Sequence, residues 1–113
     1  MKQDMTRERV RTFTRAVARK NGWLLNPDGE FLETIEEGLL ENARRLGYFQ
    51  CPCRISWDDR SRDRDIVCPC DYSHPDIREY GHCYCALFLS REFSESGAEP
   101  AGIPERRPEE YYP

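Results

Sequence analysis

Between Cys51 and Leu89 the chain reads CPCRISWDDRSRDRDIVCPCDYSHPDIREYGHCYCALFL. All six cysteines lie in this stretch, as three Cys-x-Cys pairs: Cys51-Pro52-Cys53, Cys68-Pro69-Cys70 and Cys83-Tyr84-Cys85. Fourteen residues separate the first pair from the second, and twelve separate the second from the third. Proline at the centre of two pairs fixes φ near about −65° and removes a backbone donor, which stiffens the turn that aims both sulfurs. Two sulfurs within one such pair are too close along the chain for a relaxed disulfide. Zinc knuckles use a longer Cys-x-x-Cys turn so that both thiolates face one ion, and Cys-x-Cys falls short of that. An iron–sulfur cubane is a larger body that accepts one sulfur from each of several loops. Both a four-cysteine zinc site and a [4Fe–4S] cluster take four thiolates and leave two, so the count does not separate them. The spacing favours iron.

Outside this stretch the composition sets limits. The chain has 113 residues, 38% hydrophobic and 34% charged. That is enough for one compact domain, residues 1–113, with little apolar surface to bury, so a covalent or metal staple would help. No apolar run is long enough to span a membrane. The first twenty residues, MKQDMTRERVRTFTRAVARK, contain no apolar stretch of the secretory type. The expectation is a cytoplasmic protein whose cysteines are metal ligands or redox groups rather than structural disulfides. The net charge of −4 argues against a general nucleic-acid binder.

The cysteines start only at Cys51, and the chain before them reads as helical. Val10, Phe13 and Val17, with Ala16 beside them, predict a first helix over about Thr6 to Lys20, capped by Thr6 and stopped at Asn21-Gly22. Leu32, Ile35, Leu39, Ala43 and Leu46, widened by Leu40, predict a second over about Gly29 to Leu46, with Gly47 as its left-handed stop. Glutamates load its start, and Arg44 and Arg45 its end, as the helix dipole favours. Residues 6–47 thus form a helical cap, 48–93 the cysteine half and 94–113 an irregular Pro-rich tail. Within the cysteine half, Asp58 to Ile66 could form one short helix, Ser73-His74-Pro75-Asp76 reads as a helix start, and Ala86 to Leu89 is a strand or extended core segment. The fold class is small and mainly α, with two N-terminal amphipathic helices packed on a cysteine-rich half of short helices and loops.

Three Cys-x-Cys pairs, two of them Cys-Pro-Cys, behind two helices in a chain of this length resemble the catalytic subunit of ferredoxin:thioredoxin reductase. The resemblance covers roughly residues 6–105 and rests on Cys51-Pro52-Cys53-Arg54, Cys68-Pro69-Cys70 and Cys83-Tyr84-Cys85 followed by Ala86-Leu87-Phe88-Leu89. It implies a [4Fe–4S] cluster held by Cys51, Cys68, Cys70 and Cys83, with Cys53 and Cys85 as the adjacent redox disulfide. It implies that Cys53 attacks the substrate disulfide while Cys85 stays against the cluster. The activity it implies is ferredoxin-dependent reduction of thioredoxin or a related protein disulfide by two single electrons. Ferredoxin is then the donor, thioredoxin or a thioredoxin-like protein the acceptor, and a small variable subunit a further partner. The family's third motif is usually Cys-His-Cys, and its histidine handles protons near the disulfide. Here Tyr84 stands at that position, a poorer proton exchanger near neutral pH. His82, just before the motif, is the candidate replacement, with His74 behind it. Otherwise His82 orients the Cys83 loop, and Tyr84 shields the cluster from water.

Two other readings compete. One is a zinc-binding four-cysteine interaction module without redox activity, which the Cys-x-Cys spacing disfavours. The other is a simple iron–sulfur electron carrier, which the surplus cysteine pair disfavours. Arg54, Arg60, Arg62 and Arg64 could dock an acidic ferredoxin, but Asp58, Asp59, Asp63 and Asp65 cancel them and predict a solvated mixed-charge face. The basic segment before Trp23 is a rival docking surface. Trp57 is expected in the core or as a shield.

Overall fold

The structure is a computed structural model that describes residues 5–113. Lys2 and Asp4 of the basic N-terminal segment lie outside the described residues. Helix α1 spans Arg7–Asn21. Thr6 caps it, its hydroxyl accepting from the Arg9 amide, and Gly22 ends it at φ 72°, where its N–H reaches back to the Ala18 and Arg19 carbonyls. Helix α2 spans Gly29–Leu46, with Asp28 accepting from the Phe31 amide and Gly47 at φ 88° closing the end. The stripes differ slightly from expectation. In α1 the buried residues are Val10, Thr14 and Ala18, whereas Ala16 faces solvent. Thr14 is buried because it faces Glu36 of α2, to whose carboxylate it donates a hydrogen bond of 3.0 Å. Phe13 stacks on Phe49 at 4.1 Å, so α1's apolar face covers the approach to the first cysteine pair.

Two short strands, β1 (Leu24–Leu25) and β2 (Phe88–Leu89), pair antiparallel, Leu24 with Leu89 and Leu25 with Phe88. The extended reading of residues 86–89 is thereby specified, and its partner strand is not visible in a two-residue Leu-Leu. The Asn26 side chain extends the junction by donating to the Ala86 carbonyl at 2.9 Å. A second tie brings the first two cysteine pairs together: the Cys51 amide donates to Ile66 O at 3.0 Å and the Cys68 amide to Phe49 O at 2.7 Å. The Cys68–Pro69 peptide is cis.

Helix α3 spans Ser73–Tyr80, and its N-cap is Tyr72 rather than Ser73, whose hydroxyl turns towards Cys70 instead. The charged stretch Asp58 to Ile66 makes only one 3-10 turn, Arg64–Ile66, because the Asp63 carboxylate is taken up by the Trp57 and Asp59 amides of the loop before it. A further helix, α4 (Arg91–Ser96), has no counterpart in the sequence reading. Ser90 caps it by accepting from the Phe93 amide, and Gly97 ends it at φ 75°.

The tail is not a loose surface strand. Arg107 is 2% exposed, and its guanidinium donates to both Asp65 oxygens, at 2.8 and 3.1 Å, and to Asp63 at 3.5 Å. Arg106 reaches buried Asp76 at 2.7 Å. Asp63 and Asp65 are therefore internal anchors for the tail, and they do not belong to the solvated mixed-charge face expected of residues 54–65. Trp57 is also corrected: it sits exposed at the tail's edge, under Arg62 and donating to the Tyr111 carbonyl. No helix among the described residues is long and apolar enough to cross a membrane.

Burial alone raises the Asp65 pKa, but hydrogen bonds from Arg107 and Tyr72 overcome it and hold the carboxyl below its ordinary value. A depressed carboxyl contributes stability that is present above its unfolded value and lost as pH falls through the folded one. Arg107→Ala is expected to cost about 3–5 kcal/mol at neutral pH, since it strands buried carboxylates. Urea denaturation as a function of pH checks this: the deficit should shrink as pH falls towards about 4, where acid neutralises the stranded groups. A deficit under about 1 kcal/mol at neutral pH would mean a surface-type pair. Gly38 is the second point of constraint, because a Cβ there would lie 2.6 Å from Pro52 Cβ. Gly38→Ala improves helix propensity by about 1 kcal/mol, yet overpacking against a proline ring costs about 1–3 kcal/mol. Net destabilisation is expected in the same measurement, and net stabilisation would show that the first cysteine turn moves freely.

Candidate functional site

The ties of the fold converge on the cysteines. Cys51, Cys68, Cys70, Cys83 and Cys85 line one cavity together with Ile35 of α2, Arg54, Ser73 and Tyr84. Each motif reaches it differently. The first pair is held by Gly38 under Pro52 and by the Cys51 amide bond. The second precedes α3, with the Ser73 amide donating to Cys70 O at 3.0 Å. The third is a tight turn closed by the Ala86 amide donating to Cys83 O at 2.8 Å, with Ala86 itself at φ 59°.

All six cysteines are free thiols here, and Cys53 is the one that is exposed. The Cys51 and Cys85 sulfurs lie 3.1 Å apart, and Cys53, two residues after Cys51, is the exposed member of the first motif. Burial pushes Cys68 and Cys70 up and Cys83 up to about 12.

Several donors nevertheless aim at these sulfurs. The Arg54 Nη1 donates to Cys70 Sγ at 3.3 Å, the Phe88 amide to Cys83 Sγ at 3.4 Å, and the Ser73 hydroxyl lies 3.3 Å from Cys70 Sγ. Donors directed at sulfur suit thiolates rather than thiols. Soft thiolate ligands lining one cavity suit zinc or an iron–sulfur cluster. Among the described residues, no three His, Cys, Asp or Glu side chains gather on a single-ion position; the sulfurs surround the cavity instead.

His82 does not line this cavity. It is 2% exposed, its Nδ1 is 2.7 Å from the Cys83 carbonyl, and its Nε2 accepts from the Ala101 amide at 3.4 Å. A carbonyl only accepts, so Nδ1 carries the proton, and both ring nitrogens are committed to the backbone. His74 is exposed, packs on Trp23 and does not line this cavity. Tyr84 does line the cavity, with its ring beneath the Arg54 guanidinium at 4.3 Å.

The sequence reading does not assign Arg54 and its partners to this site. The Arg54 side chain is fully buried and meets Glu105 of the tail in a two-pronged pair of 2.8 and 2.9 Å. Burial raises the Glu105 pKa, but hydrogen bonds from Arg54, the Tyr112 hydroxyl and the Arg107 amide dominate and hold it at about 2. Arg54 is therefore part of the cavity wall, and the docking and solvated readings of this arginine are both replaced. The signal for Arg54 was its position next to Cys53.

The chain matches the family model described as ferredoxin thioredoxin reductase catalytic beta chain over residues 1–106. It is similar to the chloroplastic ferredoxin-thioredoxin reductase catalytic chain of Spinacia oleracea, 32% identical over 99 residues, covering 85% of this chain and 64% of that one. The corresponding chloroplastic chain of Glycine max is 31% identical over 99 residues, covering 85% and 65%, and that of Oryza sativa subsp. japonica is 28% identical over 101 residues, covering 87% and 66%. This chain thus spans a little under two thirds of the length of the curated relatives it matches. With the three motifs in place around one cavity, the chain belongs to the ferredoxin thioredoxin reductase catalytic beta chain family.

Proposed function

We propose that the protein is a ferredoxin-dependent disulfide reductase in which residues 1–113 act as one catalytic-type domain. The observation that carries this reading is the arrangement of the cysteines: Cys53 is exposed, whereas Cys85 is buried with its sulfur 3.1 Å from that of Cys51 in the first motif. An attacking thiol must reach solvent, whereas a resolving thiol must wait beside it. Cys51, Cys68, Cys70 and Cys83 would hold a [4Fe–4S] cluster, a donor set supported by their place around the cavity and by the N–H groups that face Cys70 and Cys83. When bound, that cluster supplies electrons singly to the neighbouring cysteines.

The chain's own residues carry the exchange. The Cys53 thiolate attacks one sulfur of the substrate disulfide, forming a mixed disulfide and expelling the other substrate sulfur as a thiolate, which takes up a proton. The Cys85 thiolate then attacks the Cys53 sulfur, forming Cys53–Cys85 and releasing the second substrate thiolate. Two electrons have passed from the cysteine pair to the substrate. The donor is ferredoxin and the acceptor thioredoxin or a thioredoxin-like protein, with a small variable chain as a further partner, in line with the family's name. Tyr84 shields the cavity, and His82 holds the Cys83 turn in place. A cytoplasmic, reducing setting completes the reading, while the named relatives are chloroplastic.

Anaerobically purified protein is expected to contain about four irons and four acid-labile sulfides per chain. One zinc and no sulfide would replace this reading with the structural zinc module. Cys53→Ser is expected to keep iron and sulfide while losing essentially all turnover of a thioredoxin disulfide with reduced ferredoxin. Turnover retained by that variant would remove Cys53 from the nucleophile's role.

A further inference from the structure

Arg54 is a buried cation beside the cysteines for which the exchange chemistry has no use. Its guanidinium presents two edges. The Nε and Nη2 edge is occupied by Glu105, and Nη1, on the other edge, points at Cys70 Sγ. Tyr84 lies under the plane at 4.3 Å and Tyr72 is 5.3 Å away, so the group is fixed in orientation. The Tyr112 hydroxyl hydrogen-bonds to one Glu105 oxygen and the Arg107 amide to the other, so the carboxylate is fixed as well.

This arrangement differs from an ordinary structural ion pair. Burying an arginine is costly even when it is paired, and an apolar side chain would fill the wall without that cost. The pair as a whole is neutral, but it is not symmetric with respect to the sulfurs. The cation touches Cys70, and the anion is held on the cation's other edge. A ligand sulfur at this position therefore meets a positive charge and an N–H donor. Hydrogen bonds to sulfur and nearby charge set the potential of an iron–sulfur centre. A cation favours whichever state carries more negative charge, which is the reduced one.

We propose that Arg54 is a positioning residue that sets the redox potential of the centre held by Cys70, raising it, and that Glu105 of the tail restrains that rise. The inference rests on the iron–sulfur reading above. It makes the C-terminal tail part of the redox site, although the tail carries no cysteine. The signs are opposed: removing the cation lowers the potential, and removing the anion raises it.

The test is an anaerobic redox titration, followed by electron paramagnetic resonance, of the iron-loaded full chain and its Arg54→Met, Arg54→Lys and Glu105→Gln variants. Arg54→Met is expected to shift the oxidised-to-reduced ratio at fixed potential about tenfold towards oxidised, which is about 59 mV for a one-electron couple. Glu105→Gln is expected to shift it towards reduced. Arg54→Lys keeps the charge but not the two-edged fork, and is expected to fall between wild type and Arg54→Met. If Arg54→Met fails to fold, the Glu105→Gln shift decides by its sign. Iron-loaded variants with unmoved potentials, or with both shifted the same way, overturn the role of Arg54 alone. Wild-type protein without iron and sulfide overturns it together with the reading on which it rests.

Discussion

Gathering five thiol-bearing residues, four of them buried, around one small cavity is the constraint on which the rest of this molecule depends. A thiolate kept from water needs donors or a metal. The surrounding structure reflects this. The Phe88 amide, a serine hydroxyl and an arginine converge on the sulfurs. Burial raises the pKa values of Cys68 and Cys83. The two long helices pack alongside as a lid of ordinary apolar contacts, and α2 contributes Ile35 to the cavity and the bare face of Gly38 to the first turn.

The second organising element is electrostatic. Two arginines, Arg54 in the first motif and Arg107 in the tail, have side chains with no exposure, and each is matched by carboxylates from the other part of the chain. Glu105 reaches forward to Arg54, and Arg107 reaches back to Asp63 and Asp65. The crossing pairs fasten the tail to the cysteine half. A small domain with a low apolar fraction gains specificity from such pairs, at the risk that loss of one partner strands a charge.

Legibility in the sequence followed the range of the interactions. Helices α1 and α2 were readable almost to the residue, because Thr6, Gly22, Asp28 and Gly47 act on their own backbone neighbourhood. The three motifs were readable because cysteine spacing is itself chemical information. Helix α4 had the same kind of local frame, Ser90 before it and Gly97 after it, but its six residues carry no apolar period to draw the eye. What escaped was long-range. Nothing in Leu24-Leu25 announces a partner near residue 88, and no local rule links Arg54 to Glu105 or Gly38 to Pro52. Alternating Arg and Asp between residues 54 and 65 resembles a solvated face until burial singles out Arg54, Asp63 and Asp65.

The β1–β2 pair has a topological meaning. Leu25 and Phe88 face one another across a strand spacing of about 4.8 Å. The chain that leaves at one and returns at the other contains α2, α3 and every cysteine. This segment is a loop with adjacent ends, in the manner of an inserted module. Its entry and exit ask no more of a neighbouring sequence than a hairpin does. Length can therefore be added to the chain before α1 or after the tail without threading through the cysteine loop.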